Sequence, residues 1–326
     1  MFKVVRTIAL PDAIDIEKKV FGDNIEIVEI PSGTEEELIK NCQDADAVIC
    51  AYEPFTAKVI DALPNLKLIS FKSIGFNYAD VEYAKSKGLP VMHISQYCIK
   101  EVAAYTVGMI LALNRRIIQF NKSTHVDKEW KYDLFPDMRR IEEQTVGLLG
   151  FGNIPKLVTE RLKPFGCKVI AYDPYVDPVM AKEEYNVDLM TMDEVLRQSD
   201  IISIHLPANK DTGKIINEET ISRMKDGVIF INSARGAVID EDSVLSSVDS
   251  GKFKYYATDV LTDEYPDMKT HPFSERENII LTPHIAFYSQ ESFRDGVIEC
   301  AENVKNFLEG NYEKCIRNVV NGVKLQ

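Results

Sequence analysis

Short apolar, β-branched runs alternate with amphipathic stretches along almost the whole chain, and the alternation starts, pauses and starts again. Residues 2–8, 25–30, 47–51, 66–71 and 90–94 read as strands, and residues 35–42, 57–63 and 80–87 have helical spacing. After residue 144 the pattern resumes. Strand signals fall at 145–149, 168–172, 201–205, 228–231, 255–260 and 279–281, and helical ones at 156–165, 192–198, 218–224 and 240–248. An unbroken apolar strand between helices has both faces covered, as the parallel sheet of a βαβ series requires. The expected fold class is therefore α/β, with two doubly wound parallel-sheet domains.

Between the two series a buried helix is expected over residues 100–120, because it is apolar on most faces at first. Residues 121–144 lack a period and contain the only tryptophan, Trp130. They read as an excursion that packs on another subunit or crosses the surface. A last helix, over residues 289–308, is expected to cross back to the first domain.

At 326 residues the chain can build two cores. The net charge of −13 argues against nucleic-acid binding through a basic face. It leaves room for an anionic substrate held by one local arginine. The six cysteines are scattered, without C-x-x-C or any metal-ligand spacing. Reduced thiols, no bound metal and a cytoplasmic location are the expectation. No apolar run approaches the ~20 residues of a membrane span. Asp12 and Asp15 interrupt the N-terminus before a signal-peptide core could form.

Three strand ends carry the chemistry. Gly150-Phe151-Gly152-Asn153-Ile154 follows a strand and opens a helix. Gly150 permits a tight turn, and Gly152 lets backbone N–H groups approach a pyrophosphate at the positive end of the helix dipole. Asp173 ends the next strand, 21 residues beyond Gly152. A carboxylate there accepts from ribose hydroxyls and repels a 2′-phosphate, which favours NAD over NADP. Pro155 stands where the third glycine of the fingerprint is usual. Arg235, in Asn232-Ser233-Ala234-Arg235-Gly236, follows the strand at 228–231 and can clamp a carboxylate with two parallel bonds. His284, in Thr282-Pro283-His284, follows the strand at 279–281 and can give and take a proton at cellular pH. Glu264, on the loop after residues 255–260, is placed to pair with it. An Arg, a Glu and a His around a dinucleotide site read as hydride transfer to a carbonyl compound that bears a carboxylate.

With these residues the chain resembles the D-isomer-specific 2-hydroxyacid dehydrogenase family over nearly its whole length. Asn232-Ser233-Ala234-Arg235-Gly236 is similar to the segment with the family's substrate-binding Arg. Asp259-Val260 followed by Glu264 resembles the segment with its acidic partner, and Thr282-Pro283-His284-Ile285-Ala286 the segment with its acid/base His. The resemblance implies that Arg235, Glu264 and His284 are catalytic. It implies cofactor contacts at Thr106, Gly150, Gly152, Asn153, Ile154, Asp173, His205, Pro207, Thr212, Ala234 and Asp259. Ser73-Ile74-Gly75-Phe76-Asn77 falls on the loop that holds the substrate carboxylate, so Ile74 and Gly75 are expected to bind it through their backbone. Ser73 replaces the family's first Gly, and Asn77-Tyr78 its Asp-Asn pair. The helix entry at residues 101–105 lacks the common Ala-Glu-His step.

The resemblance further implies a flavodoxin-like substrate domain, residues 1–100 plus 300–326, and a Rossmann NAD-binding domain, residues 101–299. A homodimer acting on a small 2-oxo or 2-hydroxy acid is implied too. In Ala171-Tyr172-Asp173-Pro174-Tyr175 and His284-Ile285-Ala286-Phe287-Tyr288 the chain is most similar to the D-lactate and D-2-hydroxyisocaproate enzymes. The alternative is an NAD(H)-sensing, corepressor-like binding protein with little turnover. A basic or disordered tail would favour it, and neither is evident.

Overall fold

The structure is a computed structural model and describes residues 1–325. The chain divides into two compact units: Met1–Cys98 with the chain from Tyr288 onward, and Ile99–Phe287.

In the first unit five strands form one parallel sheet: β1 (Phe2–Arg6), β2 (Ile25–Glu29), β3 (Ala47–Cys50), β4 (Leu68–Phe71) and β5 (Val91–Met92). Their order is β2-β1-β3-β4-β5, the flavodoxin-like arrangement. Successive residues point to opposite faces and enter different cores. Val5, Val48 and Ile69 pack on one side; Val4, Ile49 and Leu68 pack on the other. This is why β3 is apolar at every position and β4 at all but Ser70: helices cover both faces.

The helix Gln290–Leu308 belongs wholly to this unit and packs on Ala13–Phe21 and β4. Ser289 caps its start, with its hydroxyl accepting from Ser292 N–H at 2.9 Å. The return to the first unit therefore falls at residue 288, before the helix, and not within it at residue 300. Beyond the helix the chain edges β5: Val320 donates to the Val91 carbonyl at 2.9 Å, and Asn321 brackets the same strand through Val91 N–H and the Leu89 carbonyl.

The second unit holds seven parallel strands: β6 (Thr145–Leu149), β7 (Lys168–Tyr172), β8 (Asp188–Leu189), β9 (Ile201–Ile204), β10 (Val228–Asn232), β11 (Phe253–Thr258) and β12 (Ile279–Leu281). The order β12-β11-β10-β9-β6-β7-β8 reverses between β6 and β9, as in a Rossmann fold. The same two-sided division recurs. Ile229 and Ile231 enter one core, and Val228 and Phe230 the other.

Two local expectations change. The buried helix stops at Asn114, and a second, Ile117–Lys122, begins after Arg116 in a left-handed conformation with φ +55°. The Arg116 guanidinium lies 4.5 Å from the Tyr255 ring centroid and 5.5 Å from that of Phe135. Burying this cation between rings bends the chain where apolar periodicity alone would continue it. The structure also adds a helix, Pro178–Tyr185, and the edge strand β8. Both lie where the sequence pattern was too weak to assign an element.

Arg6, fully buried at the end of β1, is paired with Glu17 at 3.4 Å and with Glu29. Burial pushes the Glu17 carboxyl from 4.5 up to about 7, outweighing the downward pull of Arg6. A raised folded-state value means that the folded chain holds this proton more tightly. That stability is complete below pH 4.5 and is lost as pH rises through about 7. Melting temperature across this window should therefore fall more steeply in the wild type than in Glu17→Gln. Parallel curves for the two proteins would remove Glu17 from the linkage.

Candidate active site

The glycine turn closes β6 at the point where the strand order reverses, which is where open α/β sheets hold ligands. At Gly150 φ is +101°, and a Cβ would lie 2.9 Å from the His205 carbonyl oxygen at the end of β9. Only glycine fits that approach. At Gly152 a Cβ would meet nothing within 4 Å. The fold does not itself demand glycine there, so the open space leaves the backbone accessible to a ligand. Gly152 caps the helix Asn153–Leu162, whose first residues are Asn153 and Ile154. Pro155 sits buried in the first turn, where a missing N–H breaks no helix bond.

Asp173, after β7, ties this turn in place. It accepts from Phe151 N–H at 2.8 Å and from Tyr175 N–H at 2.9 Å. An ionised carboxylate has further lone pairs for hydroxyl donors. A cradle open in front of Gly152, a helix N-terminus and an acceptor beside them fit a dinucleotide's pyrophosphate and ribose.

After β9 the His205 ring is buried against Ser203 Oγ at 3.0 Å, and burial pushes its pKa down to about 4. The ring is therefore neutral at cellular pH. Thr212 closes the next turn: its hydroxyl accepts from Asn209 N–H at 2.9 Å and donates to the Pro207 carbonyl. Thr106, fully buried in the helix Ile99–Asn114, meets Ser233 Oγ at 3.1 Å. It thereby pins the loop that carries Ala234 and Arg235.

That loop is braced from within by Asn232, buried at the end of β10. Its side chain accepts from Ala234 N–H and donates to the Arg235 carbonyl, each at 3.0 Å. Arg235 leaves the turn half-buried, with one guanidinium nitrogen donating to the Ala234 carbonyl at 2.7 Å.

His284 has φ +53°, a left-handed backbone that a residue with a Cβ rarely adopts. Asp259, 2% exposed after β11, holds it there. Its backbone carbonyl accepts from His284 N–H at 2.9 Å. Its carboxylate accepts from Ile285 N–H at 2.9 Å, from Ala286 N–H at 2.7 Å and from the Thr282 hydroxyl. Thr282 is also bonded to the Tyr105 hydroxyl at 2.7 Å, and burial pushes that phenol up to about 12. Tyr105, one residue from Thr106, was not singled out in the sequence.

The imidazole Nδ1 so placed lies 2.9 Å from Glu264 Oε2. That hydrogen bond, then the charges of His284 and Arg235, hold the Glu264 carboxyl below its usual range. His284 and Arg235 thus both act electrically on Glu264. Ile74 and Gly75 lie in the first unit, on the loop after β4. There Ser73 Oγ donates to the Gly75 carbonyl at 2.6 Å, and the Ile74 carbonyl meets His93 Nδ1 at 2.9 Å.

The chain is similar to known proteins. The family model described as D-isomer specific 2-hydroxyacid dehydrogenase, NAD binding domain, matches residues 107–286. The chain is 35% identical to a glyoxylate reductase of Thermofilum pendens, over 87% of this chain and 84% of that protein. It is 36% identical to a hydroxypyruvate reductase of Thermotoga maritima, over 90% of this chain and 95% of the other. Among solved structures, a D-lactate dehydrogenase from Aquifex aeolicus complexed with NAD and lactic acid superposes with a TM-score of 0.84 at 31% identity. That match covers 98% of this chain and 99% of the other.

Replacing Asp259 by Ala would leave the Ile285 and Ala286 N–H groups without their acceptor. Stranding such donors costs about 2 kcal/mol or more, so denaturant titration should show a loss of that size. An unchanged midpoint would mean that the His284 turn does not depend on this carboxylate.

Proposed function

This chain belongs to the D-isomer specific 2-hydroxyacid dehydrogenase family and is an NAD-dependent dehydrogenase, and on that premise we propose that it interconverts a small 2-oxo acid and its D-2-hydroxy acid with His284 as the acid/base. The contact between His284 Nδ1 and Glu264 carries the reading. The proposed coenzyme contacts are Thr106, Gly150, Gly152, Asn153, Ile154, Asp173, His205, Pro207, Thr212, Ala234 and Asp259. Bound NADH supplies the hydride.

Arg235 grips the substrate carboxylate with its planar fork and polarises the neighbouring carbonyl. Ile74 and Gly75, in the first unit, are proposed substrate-binding residues through their backbone N–H groups. Because Nδ1 faces Glu264, Nε2 is the nitrogen left to face substrate. In reduction it gives its proton to the carbonyl oxygen; in oxidation it takes one from the hydroxyl. Glu264, with its lowered pKa, stays ionised and balances the imidazolium. Small substrates are favoured because the names of similar proteins specify glyoxylate, hydroxypyruvate and lactate.

Residues 121–144 expose Trp130 (90%) and Tyr132 (92%), a surface suited to a second copy of the chain, and we propose a homodimer. Sedimentation should show a dimer that Trp130→Asp weakens; a monomeric wild type would end that part of the reading. No helix among the described residues is long and apolar enough to cross a membrane. Five of the six cysteines are buried, in keeping with a proposed cytoplasmic location.

NADH oxidation should be followed with glyoxylate, hydroxypyruvate, pyruvate, 2-oxoisocaproate and phenylpyruvate. Turnover of at least one of the smaller acids is expected. NADH binding with turnover of none would favour the sensing protein. His284→Ala should lower turnover roughly 10²–10⁴-fold while NADH binding is kept, and full turnover would take His284 out of the chemistry. Arg235→Lys should raise KM for the acid, because an ammonium cannot form the bidentate pair; an unchanged KM would contradict the clamp.

A further inference from the structure

Behind the site one glycine comes closer to another stretch of backbone than any other glycine does. A Cβ on Gly236 would lie 2.0 Å from the Leu261 carbonyl carbon, 2.2 Å from its oxygen and 2.3 Å from Thr262 N. These are backbone atoms, so no rotamer change could relieve the overlap. Two backbones therefore touch, one from the residue after Arg235 and the other from the loop that leads to Glu264.

The same stretch of chain grips that loop a second time. After Gly236–Val238 the helix Glu241–Asp249 begins, capped by Asp240. Glu241, in its first turn, accepts from Thr262 N–H at 2.8 Å through Oε1. Its other oxygen lies 3.9 Å from His271 Nε2. His271 Nδ1 accepts from Phe273 N–H at 3.3 Å, which leaves Nε2 to face Glu241. Lys214 and Tyr256 also feel the charge of this carboxylate, and Asp240 and Asp242 flank it in sequence. Two residues past Thr262, Glu264 meets His284 Nδ1, with Arg235 the other charge acting on it.

We infer that Gly236 and Glu241 are positioning residues that fix the backbone at Leu261 and Thr262 and so set the reach of Glu264 to His284. The segment that presents Arg235 also buttresses the loop that presents Glu264, so the clamp and the acidic partner cannot drift apart independently. A side chain at residue 236 displaces residues 261–262. Loss of the Glu241 acceptor frees the Thr262 N–H and lets residues 262–264 move outward. In both cases Glu264 loses the hydrogen bond that lowers its pKa most.

This inference rests on the proposed roles of Glu264 and His284, but its test needs no turnover. The full chain, labelled with ¹³C-glutamate, is titrated by carboxyl NMR, and Glu264→Gln identifies the Glu264 signal. In the wild type that carboxyl should titrate below the usual range for glutamate. In Glu241→Ala it should move up toward the ordinary value, ~4.3, and Gly236→Ala should do the same. Glu241→Gln, whose amide oxygen can still accept from Thr262 N–H, should keep the wild-type position. A merely structural loss would lower stability in all three without this pattern.

A Glu264 titration unmoved in Glu241→Ala overturns the inference, and so does a Gln variant that behaves as Ala. Should Gly236→Ala not fold, the two Glu241 variants decide alone. If no 2-oxo acid is reduced and Glu264 still shifts, positioning stands while the reaction fails. If turnover is normal and Glu264 does not shift, positioning alone fails.

Discussion

The left-handed backbone at His284 is the constraint on which the site depends. A residue with a Cβ does not hold that conformation unaided. It persists because one buried carboxylate, Asp259, takes donors from the turn on both sides of the histidine. Asp259 can do so because β11 and β12 are parallel neighbours whose C-terminal ends lie side by side. Sheet topology therefore sets the imidazole's backbone, and Glu264 then sets its tautomer. The nitrogen that faces away from Glu264 is therefore fixed by the fold.

The three charged groups come from adjoining strand ends, and each is braced in a different way. Arg235 leans on Asn232 and Thr106, through Ser233. His284 leans on Asp259, and Glu264 sits on a loop pressed against Gly236. Polar braces suit places where a side chain must keep one direction, because a hydrogen bond is directional and apolar contact is not. The apolar residues of β9 to β12 fill the cores above and below, and this leaves the strand ends to carry chemistry.

Much of this was legible in the sequence. Fully buried strands are apolar at every position, as in β3, or at all but one, as in β9 (Ser203) and β10 (Asn232), and no exposed face interrupts the signal. Gly150, Asp173, Arg235 and His284 stand at strand ends, where loops of this fold hold ligands, so position and residue type pointed the same way. Other features depend on partners far away in the chain. The break at Arg116 follows from the Tyr255 ring, and no local pattern reports a residue so distant. The edge strand β8 has two residues and leaves no periodicity to detect. Glu241 looks like an ordinary first-turn acid, and only the fold brings Thr262 to it. Likewise Gly236 reads as a flexible turn residue, although its backbone contact with Leu261 is what requires glycine.

The central proposal is that His284 protonates the oxygen of a 2-oxo acid, with a bound dinucleotide as the group that would supply the hydride. Reduction of hydroxypyruvate or glyoxylate with NADH deuterated at the transferable C4 position tests it most directly. The account predicts label on C2 of the hydroxy acid, and the D isomer where that carbon is a stereocentre. Unlabelled product, or the L isomer, would contradict it.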